Sequence, residues 1–417
     1  MIITDVKTIL LTGPCTNDPY LSEARKLRSA AFIKIETNTE YIGWGETYAG
    51  YFFPEGVPVV VDFLKPVLIG QSVDNIKELW QRMYHAGNFW CRVGLGAIVL
   101  AGIEAALWDL SGKLHNKPVY KLLQEVWSSH SQADNEIFPE KILCYATGGP
   151  SNYPMDKLFS KIEFYCSLGF KGVKIGAGAY WKNNGFEIEQ DSIDATVNFE
   201  TNKIASIRER FGYDLKLMID AHMGNSFGQP WNLETALAVA NALDPYKLLF
   251  LEEPLPYNKP DDYAFLRRNT KVTIAGGECL TTVSEWNSFI QKKCFDVGQP
   301  DASFTSGLES FIEVAALLYN NGGFGIAPHA WGAGGSQMQN IHCGFACKNT
   351  VIVEVAPAFG PLHSEIIKCE LQLKNGYLMP PELPGLGIEL TDKTIKRFPF
   401  IPGSGEFNSV AGKVLTT

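Results

Sequence analysis

Eight short apolar runs that alternate with helical segments from residue 141 onward constrain the fold of this chain most. The runs are rich in β-branched residues, and amphipathic stretches with three- and four-residue apolar spacing separate them. They are ILCYA, GVKI, LKLMI, LLFLE, VTIAG, FDVGQ, GFGIA and VIVEV, beginning at residues 142, 172, 215, 248, 272, 295, 323 and 351. This alternation predicts a closed parallel barrel, in which functional groups lie just beyond the carboxyl ends of the strands.

The first 127 residues predict a separate α+β domain. Its β-rich segments cover residues 2–11, 31–37 and 41–47. A turn at Asn38-Thr39 joins the last two and favours a three-stranded antiparallel meander. Helical periodicity follows, with predicted helices over residues 57–69, 76–85, 97–114 and a short segment after Pro118.

Two further segments complete the predicted organisation. Residues 128–139 are polar and lack any period, which predicts a linker or a surface insertion. The barrel is expected over residues 140–370. Residues 371–417 contain an Asn375-Gly376 turn, typical of a hairpin, and we expect this segment to return to the first domain.

Charge and cysteine content limit the possible partners. The net charge is −9, without a basic run or an aromatic stripe lined by Arg or Lys, so nucleic acid is not an expected partner. The nine cysteines form no CxxC pair, which favours free thiols in a reducing compartment. The longest apolar run, residues 94–103, is too short to span a bilayer. We therefore expect a cytoplasmic protein that does not bind a membrane.

Polar side chains recur where the apolar barrel strands end. They are Lys174, Asp220, Glu252, Glu278, Asp301, His329 and Glu354. Any one of them alone is compatible with a solvated loop carboxylate or a helix cap. Asp220, Glu252 and Glu278 follow three consecutive strands, so they are expected to converge at the barrel mouth. Three carboxylates repel each other unless a cation lies among them, and an all-oxygen set suits Mg²⁺ better than zinc.

Six motifs occur in a fixed order: LMIDAH (217–222), FLEEP (250–254), GGE (276–278), QPD (299–301), APH (327–329) and IVEV (352–355). As an ordered set they resemble the mandelate racemase/muconate lactonizing branch of the enolase superfamily, over nearly the whole chain. The resemblance implies an N-terminal α+β capping domain followed by a modified TIM barrel, (β/α)7β. It also implies Mg²⁺ held by Asp220, Glu252 and Glu278, and a homo-oligomer of the chain.

The resemblance also implies a catalytic dyad of His329 and Asp301, in which Asp301 fixes the tautomer of the imidazole. The alternative for His329 is a satisfied core histidine after Pro328. Lys174 lies where many relatives carry the first Lys of a Lys-x-Lys pair, but the second place here is Gly176. This departure argues against a two-base racemase. Lys174 is expected either to neutralise a substrate carboxylate or metal ligand, or to pair with a structural carboxylate at the barrel mouth.

The Asp-x-His motif of Asp220 and His222 resembles that of the galactonate and mannonate dehydratase groups. We therefore assign His222 as the base for the C2 proton, and His329 with Asp301 as the acid that assists loss of the C3 hydroxyl. The two roles are exchangeable, and the alternative for His222 is a hydrogen bond to a substrate hydroxyl. Glu354 is expected either to donate a hydrogen bond to the substrate carboxylate, which requires a raised pKa, or to be an ionised partner of a cation.

Substrate choice is expected to reside in the first domain. Residues 13–25 are predicted to form one loop and residues 48–54 an aromatic one, and in this family two such loops close over the mouth and exclude water. The candidate substrate contacts are Tyr20, Tyr51, Phe52 and Trp331. The alternative for these aromatic side chains is core or interface packing.

These residues together predict a Mg²⁺-dependent acid-sugar dehydratase, which converts a small carboxylate substrate to a 2-keto-3-deoxy acid. One alternative is a racemase, epimerase or cycloisomerase that works through the same enolate. The other is a non-catalytic regulator that binds a sugar acid. Gly176 argues against a racemase or epimerase, and the complete metal set argues against the regulator.

Overall fold

The structure is a computed structural model that describes residues 1–21, 26–132, 137–148, 153–178, 181–182, 185–186, 192–224 and 230–403. It consists of an N-terminal α+β unit, a parallel barrel and a C-terminal segment that contacts both.

The N-terminal unit is a three-stranded antiparallel sheet packed against helices. The strands pair in the order β1 (Ile3–Pro14), β2 (Leu27–Thr37) and β3 (Ile42–Thr47), which is the meander that the sequence predicts. The helices are α1 (Ala49–Phe52), α2 (Val57–Leu68), α3 (Ile76–Gly87), α4 (Leu95–Leu114) and α5 (Val119–His130).

Three sequence expectations about connections in this region need correction. The first predicted loop begins later than residue 13, because β1 stays paired with β2 as far as Pro14. The second is not entirely a loop, since α1 occupies residues 49–52 of it. The predicted linker starts later than residue 128, because α5 continues to His130. Residues 22–25 and 133–136 of these segments lie outside the described residues.

Two glycines bring β3 directly against α4. A Cβ added at Gly43 would meet the carbonyl oxygen of Ala106 at 2.3 Å, and one at Gly45 would meet that of Gly102 at 2.3 Å. Only glycine allows backbones to approach this closely. Among the described residues, α4 is the one helix long and apolar enough to cross a membrane. Because 94% of its most apolar 18-residue window is buried, it is placed as a core helix.

Within the described part of the chain, eight parallel strands and seven intervening helices form the barrel, which confirms the predicted (β/α)7β architecture. The strands are β4 (Ile142–Ala146), β5 (Gly172–Gly176), β8 (Lys216–Asp220), β9 (Phe250–Glu252), β10 (Ile274–Gly276), β11 (Val297–Gly298), β12 (Gly325–Ile326) and β13 (Val353–Val355). The helices are α6 (Met155–Ser167), α7 (Ile193–Phe211), α8 (Leu233–Leu243), α9 (Pro260–Asn269), α10 (Val283–Lys292), α11 (Leu308–Asn320) and α12 (Gly335–Ala346). A small hairpin of β6 (Trp181–Lys182) and β7 (Gly185–Phe186) lies between β5 and α7 in the chain.

The barrel closes because β13 pairs in parallel with β4. One apolar layer fills its interior, formed by Tyr145, Met218, Phe250, Ala275, Val297, Ala327 and Ile352. Side chains two positions apart on a strand share one face. Asp220, Glu252 and Glu354 each follow a residue of this layer by two positions, so they project inward just above it, toward the carboxyl ends of the strands.

The C-terminal segment first contacts the barrel, not the N-terminal unit. β14 (Leu373–Lys374) and β15 (Tyr377–Leu378) form the predicted hairpin, with φ of 53° at Asn375 and 82° at Gly376. β15 then pairs with Ile142 and Leu143 of β4, an edge that β13 leaves unpaired. The expected return to the first domain occurs only later in the segment.

Two isolated β-bridges join the C-terminal segment to the N-terminal unit. Gly385 pairs with Pro118, and Pro399 pairs with Leu11. The last two helices of the described chain are α13 (Pro361–Ile366) and α14 (Asp392–Arg397).

Candidate active site

Three carboxylates converge at the carboxyl end of the barrel. Asp220 ends β8, Glu252 ends β9, and Glu278 lies two residues beyond β10. One oxygen of each lies within 4.8 Å of the other two. Burial, reinforced by the charge of a neighbouring carboxylate, raises the pKa of Asp220 to about 6 and that of Glu252 to about 7. Burial therefore disfavours the charged forms of both carboxylates, although Lys174 acts in the opposite direction.

Lys174 lies inside the barrel, below this cluster. Its Nζ donates to Glu252 Oε1 at 2.8 Å and Oε2 at 3.0 Å. It also lies 3.2 Å from Asp220 Oδ2 and 3.3 Å from Glu354 Oε1. The sequence placed Lys174 at a strand end, which is wrong because β5 continues to Gly176. Burial acts to lower the pKa of Lys174, but the surrounding carboxylates raise it well above its usual range, so the amine is charged.

The sequence left two alternatives open for Glu354, a protonated hydrogen-bond donor and an ionised partner of a cation. The structure favours the second. Burial acts to raise its pKa, but the charges of Lys174 and His329 and the N–H of Ala330 together hold that pKa below its usual value. Its Oε2 accepts the Ala330 N–H at 2.7 Å. The expectation of a raised pKa at Glu354 is therefore wrong, because two neighbouring cationic side chains stabilise its charged form.

His222 lies at the rim of the cluster. Its Nδ1 is 3.1 Å from Asp220 Oδ1, and its backbone N–H donates to the same oxygen at 3.0 Å. The strand geometry expected at this position does not persist, since β8 ends at Asp220 and His222 adopts φ of 51°. Such a φ is uncommon outside glycine. The side chain remains 44% exposed, so a ligand can reach the imidazole.

His329 and Asp301 form a hydrogen-bonded pair on the other side of the cluster. His329 Nδ1 lies 2.8 Å from Asp301 Oδ2, and its Nε2 lies 3.7 Å from Glu278 Oε2. Asp301 is fully buried, and its Oδ1 accepts from Ser303 N at 2.7 Å, Ser303 Oγ at 2.6 Å and Asn340 Nδ2 at 2.8 Å. These bonds fix the carboxylate, which in turn orients the imidazole.

The pKa of His329 rises to about 10. Burial acts to lower this pKa, but the charge of Glu278 and the bond to Asp301 outweigh it. The ring is therefore protonated near neutral pH, with Nε2 facing the carboxylate cluster. This placement favours the dyad interpretation of His329 over that of an isolated core histidine.

Aromatic side chains of the N-terminal unit approach the dyad. Trp331 Nε1 donates to the hydroxyl of Tyr51 at 3.1 Å. Phe52 is 37% exposed, and its ring centroid is 5.1 Å from that of Tyr51. Tyr48, which the sequence did not single out, lies edge-on to His329 with centroids 5.6 Å apart. Tyr51, Phe52 and Trp331 thus form one group, which is connected to His329 through Tyr48.

Tyr20 lies elsewhere. Its ring packs against Phe164 of α6, with centroids 5.9 Å apart, and its carbonyl oxygen accepts the hydroxyl of Tyr153. The contacts described for Tyr20 therefore place it against the first barrel helix, and the structure does not bring it together with the other three candidate substrate contacts.

Several site features were not predicted from the sequence. Side chains alternate along a strand, so Glu252 and its neighbour Glu253 would ordinarily face opposite sides of the sheet. With φ of 45°, however, Glu253 is buried and lies with Glu278 and Cys279 in a second group of potential ligand atoms. Gln299, within the QPD motif, is fully buried, and neither of its amide atoms has a hydrogen-bond partner among the described residues.

The sequence matches two domain profiles of one family of enzymes. The profile of the mandelate racemase/muconate lactonizing enzyme N-terminal domain matches residues 20–124, and that of the enolase C-terminal domain-like family matches residues 161–394. The chain is therefore an enzyme of the enolase superfamily and belongs to the mandelate racemase/muconate lactonizing enzyme family. The predicted resemblance is confirmed.

Similar proteins include several acid-sugar dehydratases. The chain is 29% identical to the arabinonate dehydratase of Saccharolobus solfataricus over 368 residues, which cover 88% of this chain and 89% of that one. It is also 29% identical to the D-galactonate dehydratase of Ralstonia pickettii over 381 residues, covering 87% and 89%. The structure of the 3,6-anhydro-D-galactonate cycloisomerase from Zobellia galactanivorans superposes with a TM-score of 0.78 at 26% identity, covering 95% and 99% of the two chains.

Proposed function

We propose that this chain is a Mg²⁺-dependent acid-sugar dehydratase. The observation that carries the proposal is the convergence of Asp220, Glu252 and Glu278 between two imidazoles. His222 adjoins Asp220 on one side, and His329 faces Glu278 on the other. This arrangement can accept a proton from the carbon next to a carboxylate and deliver one to a leaving hydroxyl.

The donor set fits a hard divalent cation. Asp220, Glu252 and Glu278 offer carboxylate oxygens only, within 4.8 Å of one another. Burial raises the pKa of Asp220 to about 6 and that of Glu252 to about 7, so a bound cation would favour their ionised forms. Oxygen ligands of this kind suit Mg²⁺, which keeps positions open for substrate oxygens. When bound by these residues, Mg²⁺ supplies positive charge that stabilises the ene-diolate as it forms.

The two histidines divide the proton transfers. His222 takes the C2 proton, and the C–H electron pair moves into the carboxylate to give an ene-diolate. That pair then forms the C2–C3 double bond while the C3–O bond breaks, and protonated His329 donates to the departing hydroxyl, which leaves as water. The resulting enol tautomerises to a 2-keto-3-deoxy acid. Asp301 retains its bond to His329 Nδ1 throughout and stabilises the charged ring.

Relatives support a sugar acid as substrate. The curated relatives that the chain matches along most of its length include an arabinonate dehydratase and several D-galactonate dehydratases. Arabinonate and galactonate each carry a carboxylate with hydroxyls at C2 and C3, which is the arrangement that the proposed chemistry requires.

A cycloisomerase is the second candidate. It is favoured by the 26% identity to the 3,6-anhydro-D-galactonate cycloisomerase, which spans 95% of this chain. The initial proton abstraction would be the same, but the leaving group would be an internal ring oxygen and no water would be lost. A racemase would need a second base near β5, where the chain has Gly176 in place of a lysine.

Product analysis distinguishes these functions. The purified protein is incubated with Mg²⁺ and a panel of aldonates, aldarates and anhydro-sugar acids, and 2-keto acids are trapped as semicarbazones and weighed by mass spectrometry. A dehydratase gives a product one water lighter than its substrate, and a Glu252→Gln variant serves as the inactive control. If only anhydro-sugar acids react, without a change of mass, the cycloisomerase is correct. If epimers appear, the dehydratase proposal is wrong.

A further inference from the structure

Glu46, on β3 of the N-terminal unit, is a buried carboxylate that bonds to the barrel. Its side chain accepts the N–H of Ala333 at Oε1 and the N–H of Ser336 at Oε2, both at 2.8 Å. Its own backbone is held by Gln339, whose amide pairs with the Glu46 N–H at 2.8 Å and with the carbonyl at 3.1 Å. Glu46 is therefore fixed to the start of α12, the helix that follows the loop of His329.

A chain of buried hydroxyls links this anchor to the dyad. Ser336 Oγ lies 2.7 Å from Ser303 Oγ, and Ser303 Oγ donates to Asp301 Oδ1 at 2.6 Å. Asp301 Oδ2 then lies 2.8 Å from His329 Nδ1. Since the single hydroxyl hydrogen of Ser303 is directed to the carboxylate, Ser303 accepts from Ser336, whose other nearby acceptor is the Trp331 carbonyl at 3.2 Å.

The N-terminal unit also holds the Ser303 backbone. The N–H of Tyr48, two residues after Glu46, donates to the Ser303 carbonyl oxygen at 3.1 Å. The start of α12 packs closely against Glu46, since a Cβ added at Gly335 would lie 2.7 Å from Glu46 Cβ. Both ends of the hydroxyl chain are thus positioned by β3 and the residues just after it.

We propose that Glu46 is a positioning residue for the dyad: through Ser336 and Ser303 it fixes the orientation of Asp301, and hence of His329. This inference rests on the proposed function for its kinetic consequence, but the orientation itself requires no substrate. A dyad whose carboxylate rotates loses the near-attack geometry that proton transfer needs, whereas binding of the substrate carboxylate at the cluster of Asp220, Glu252 and Glu278 is unaffected.

The chain offers a matched control in Glu104 of α4. Glu104 is also fully buried and also joins the N-terminal unit to the start of a barrel helix, accepting the N–H groups of Leu308 and Glu309 of α11. Its described hydrogen bonds do not include a hydroxyl that leads to Asp301. Glu104→Gln therefore perturbs the contact between the units without interrupting the chain to the dyad.

The kinetic test compares Glu46→Gln and Ser336→Ala with Glu104→Gln. For the first two variants we expect kcat for sugar-acid dehydration to fall about tenfold with KM nearly unchanged, and the double variant to fall no further than the more affected single variant. Glu104→Gln should lower Tm while keeping kcat near that of the wild type. The proposal is overturned if Glu46→Gln and Ser336→Ala also keep wild-type kcat, or if their effects multiply.

A second measurement needs neither substrate nor turnover. In protein labelled with ¹⁵N-histidine, the ring nitrogens of His329 are assigned by their loss in His329→Asn. Glu46→Gln and Ser336→Ala should shift the Nδ1 resonance, and Glu104→Gln should not. An unmoved resonance in both chain variants contradicts the proposal even if the wild type dehydrates sugar acids. A shifted resonance supports it even if no sugar acid reacts. Ser336→Ala decides the matter should Glu46→Gln fail to fold, because it retains the backbone bonds to Glu46.

Discussion

Lys174 and the carboxylates around it define the electrostatics of the site at the scale of single residues. The buried amine bonds to Glu252 and lies within 3.3 Å of Asp220 and Glu354, yet the pKa of Glu252 still rises to about 7. At Glu252, burial and the charge of Asp220 therefore outweigh the effect of Lys174 on the pKa. Lys174 partly neutralises the cluster, and a bound cation would complete the neutralisation.

Removing this charge should destabilise the protein most when no metal is present. We predict that Lys174→Met lowers the free energy of unfolding in EDTA by about 3 kcal/mol, because it leaves buried carboxylates unpaired. Urea unfolding at pH 8 measures the loss. Added Mg²⁺ should restore more stability to this variant than to the wild type. Equal stability of the two proteins in EDTA would show that Lys174 does not balance the cluster.

The two imidazoles are separable by isotope exchange. We predict that His222→Asn abolishes exchange of the substrate C2 proton with solvent deuterium, with a loss of at least about 100-fold. His329→Asn should retain exchange but lose dehydration, because the C3 hydroxyl of the substrate then lacks a proton donor. Proton NMR of the substrate in D₂O follows both reactions. Exchange that survives in His222→Asn and disappears in His329→Asn would reverse the assigned roles.

The sequence predicted which residues form the site better than it predicted their protonation states and their contacts. The ordered motifs located Asp220, Glu252 and Glu278, because the end of each strand can be recognised locally. The pKa of Glu354 and the chain from Glu46 to Asp301 could not be predicted, since they depend on contacts between segments far apart in sequence.

Among the secondary-structure elements, the strands and helices of the barrel could be predicted from periodicity alone. The contacts between elements far apart in the sequence could not. Each of the eight apolar runs contains a strand, because burial on both faces selects β-branched residues. The pairing of β15 with β4 was missed because the hairpin sequence specifies its own turn but not the edge that it joins. The contact of β3 with α4 was missed for a similar reason, since a glycine pattern does not name its partner helix.

The close approach of Gly45 in β3 to α4 leads to a prediction about stability. Gly45→Ala should lower the free energy of unfolding by about 3 kcal/mol, because the new Cβ would meet backbone atoms of α4 that cannot move independently. Gly70→Ala is the control. It has φ of 78° but open space around it, so only the backbone conformation should lower stability, by about 1 kcal/mol. Urea unfolding of both variants tests this, and equal losses would contradict the close approach of β3 and α4.

At the scale of the whole molecule, the N-terminal unit and the barrel share buried polar contacts. Glu46 and Glu104 join them at the starts of two barrel helices, and His342 of α12 accepts the N–H of Tyr120 in α5 at 3.0 Å. Burial lowers the pKa of His342 to about 3. The homo-oligomer and the cytoplasmic location expected from the sequence stay predictions, and sedimentation velocity tests the first.

The neutral state of His342 should make stability depend on pH. Its folded-state pKa lies below the usual 6.5, so its contribution is fully present above pH 6.5 and is lost as pH falls toward 3. Each pH unit in that window costs about 1.4 kcal/mol per such histidine. His342→Asn keeps an acceptor for Tyr120 but cannot be protonated. Urea unfolding at pH 7.5 and 5 should therefore show a smaller loss in the variant, and identical losses would contradict a neutral buried His342.

The proposed function requires one Mg²⁺ held by Asp220, Glu252 and Glu278. This ion would make the carbon next to a substrate carboxylate acidic enough for a histidine to deprotonate. The most direct measurement removes all metal with EDTA and then adds Mg²⁺ stepwise during turnover of a sugar acid identified by the product screen. We predict no turnover in EDTA and full recovery at one Mg²⁺ per chain. Full turnover by the metal-free protein would contradict it.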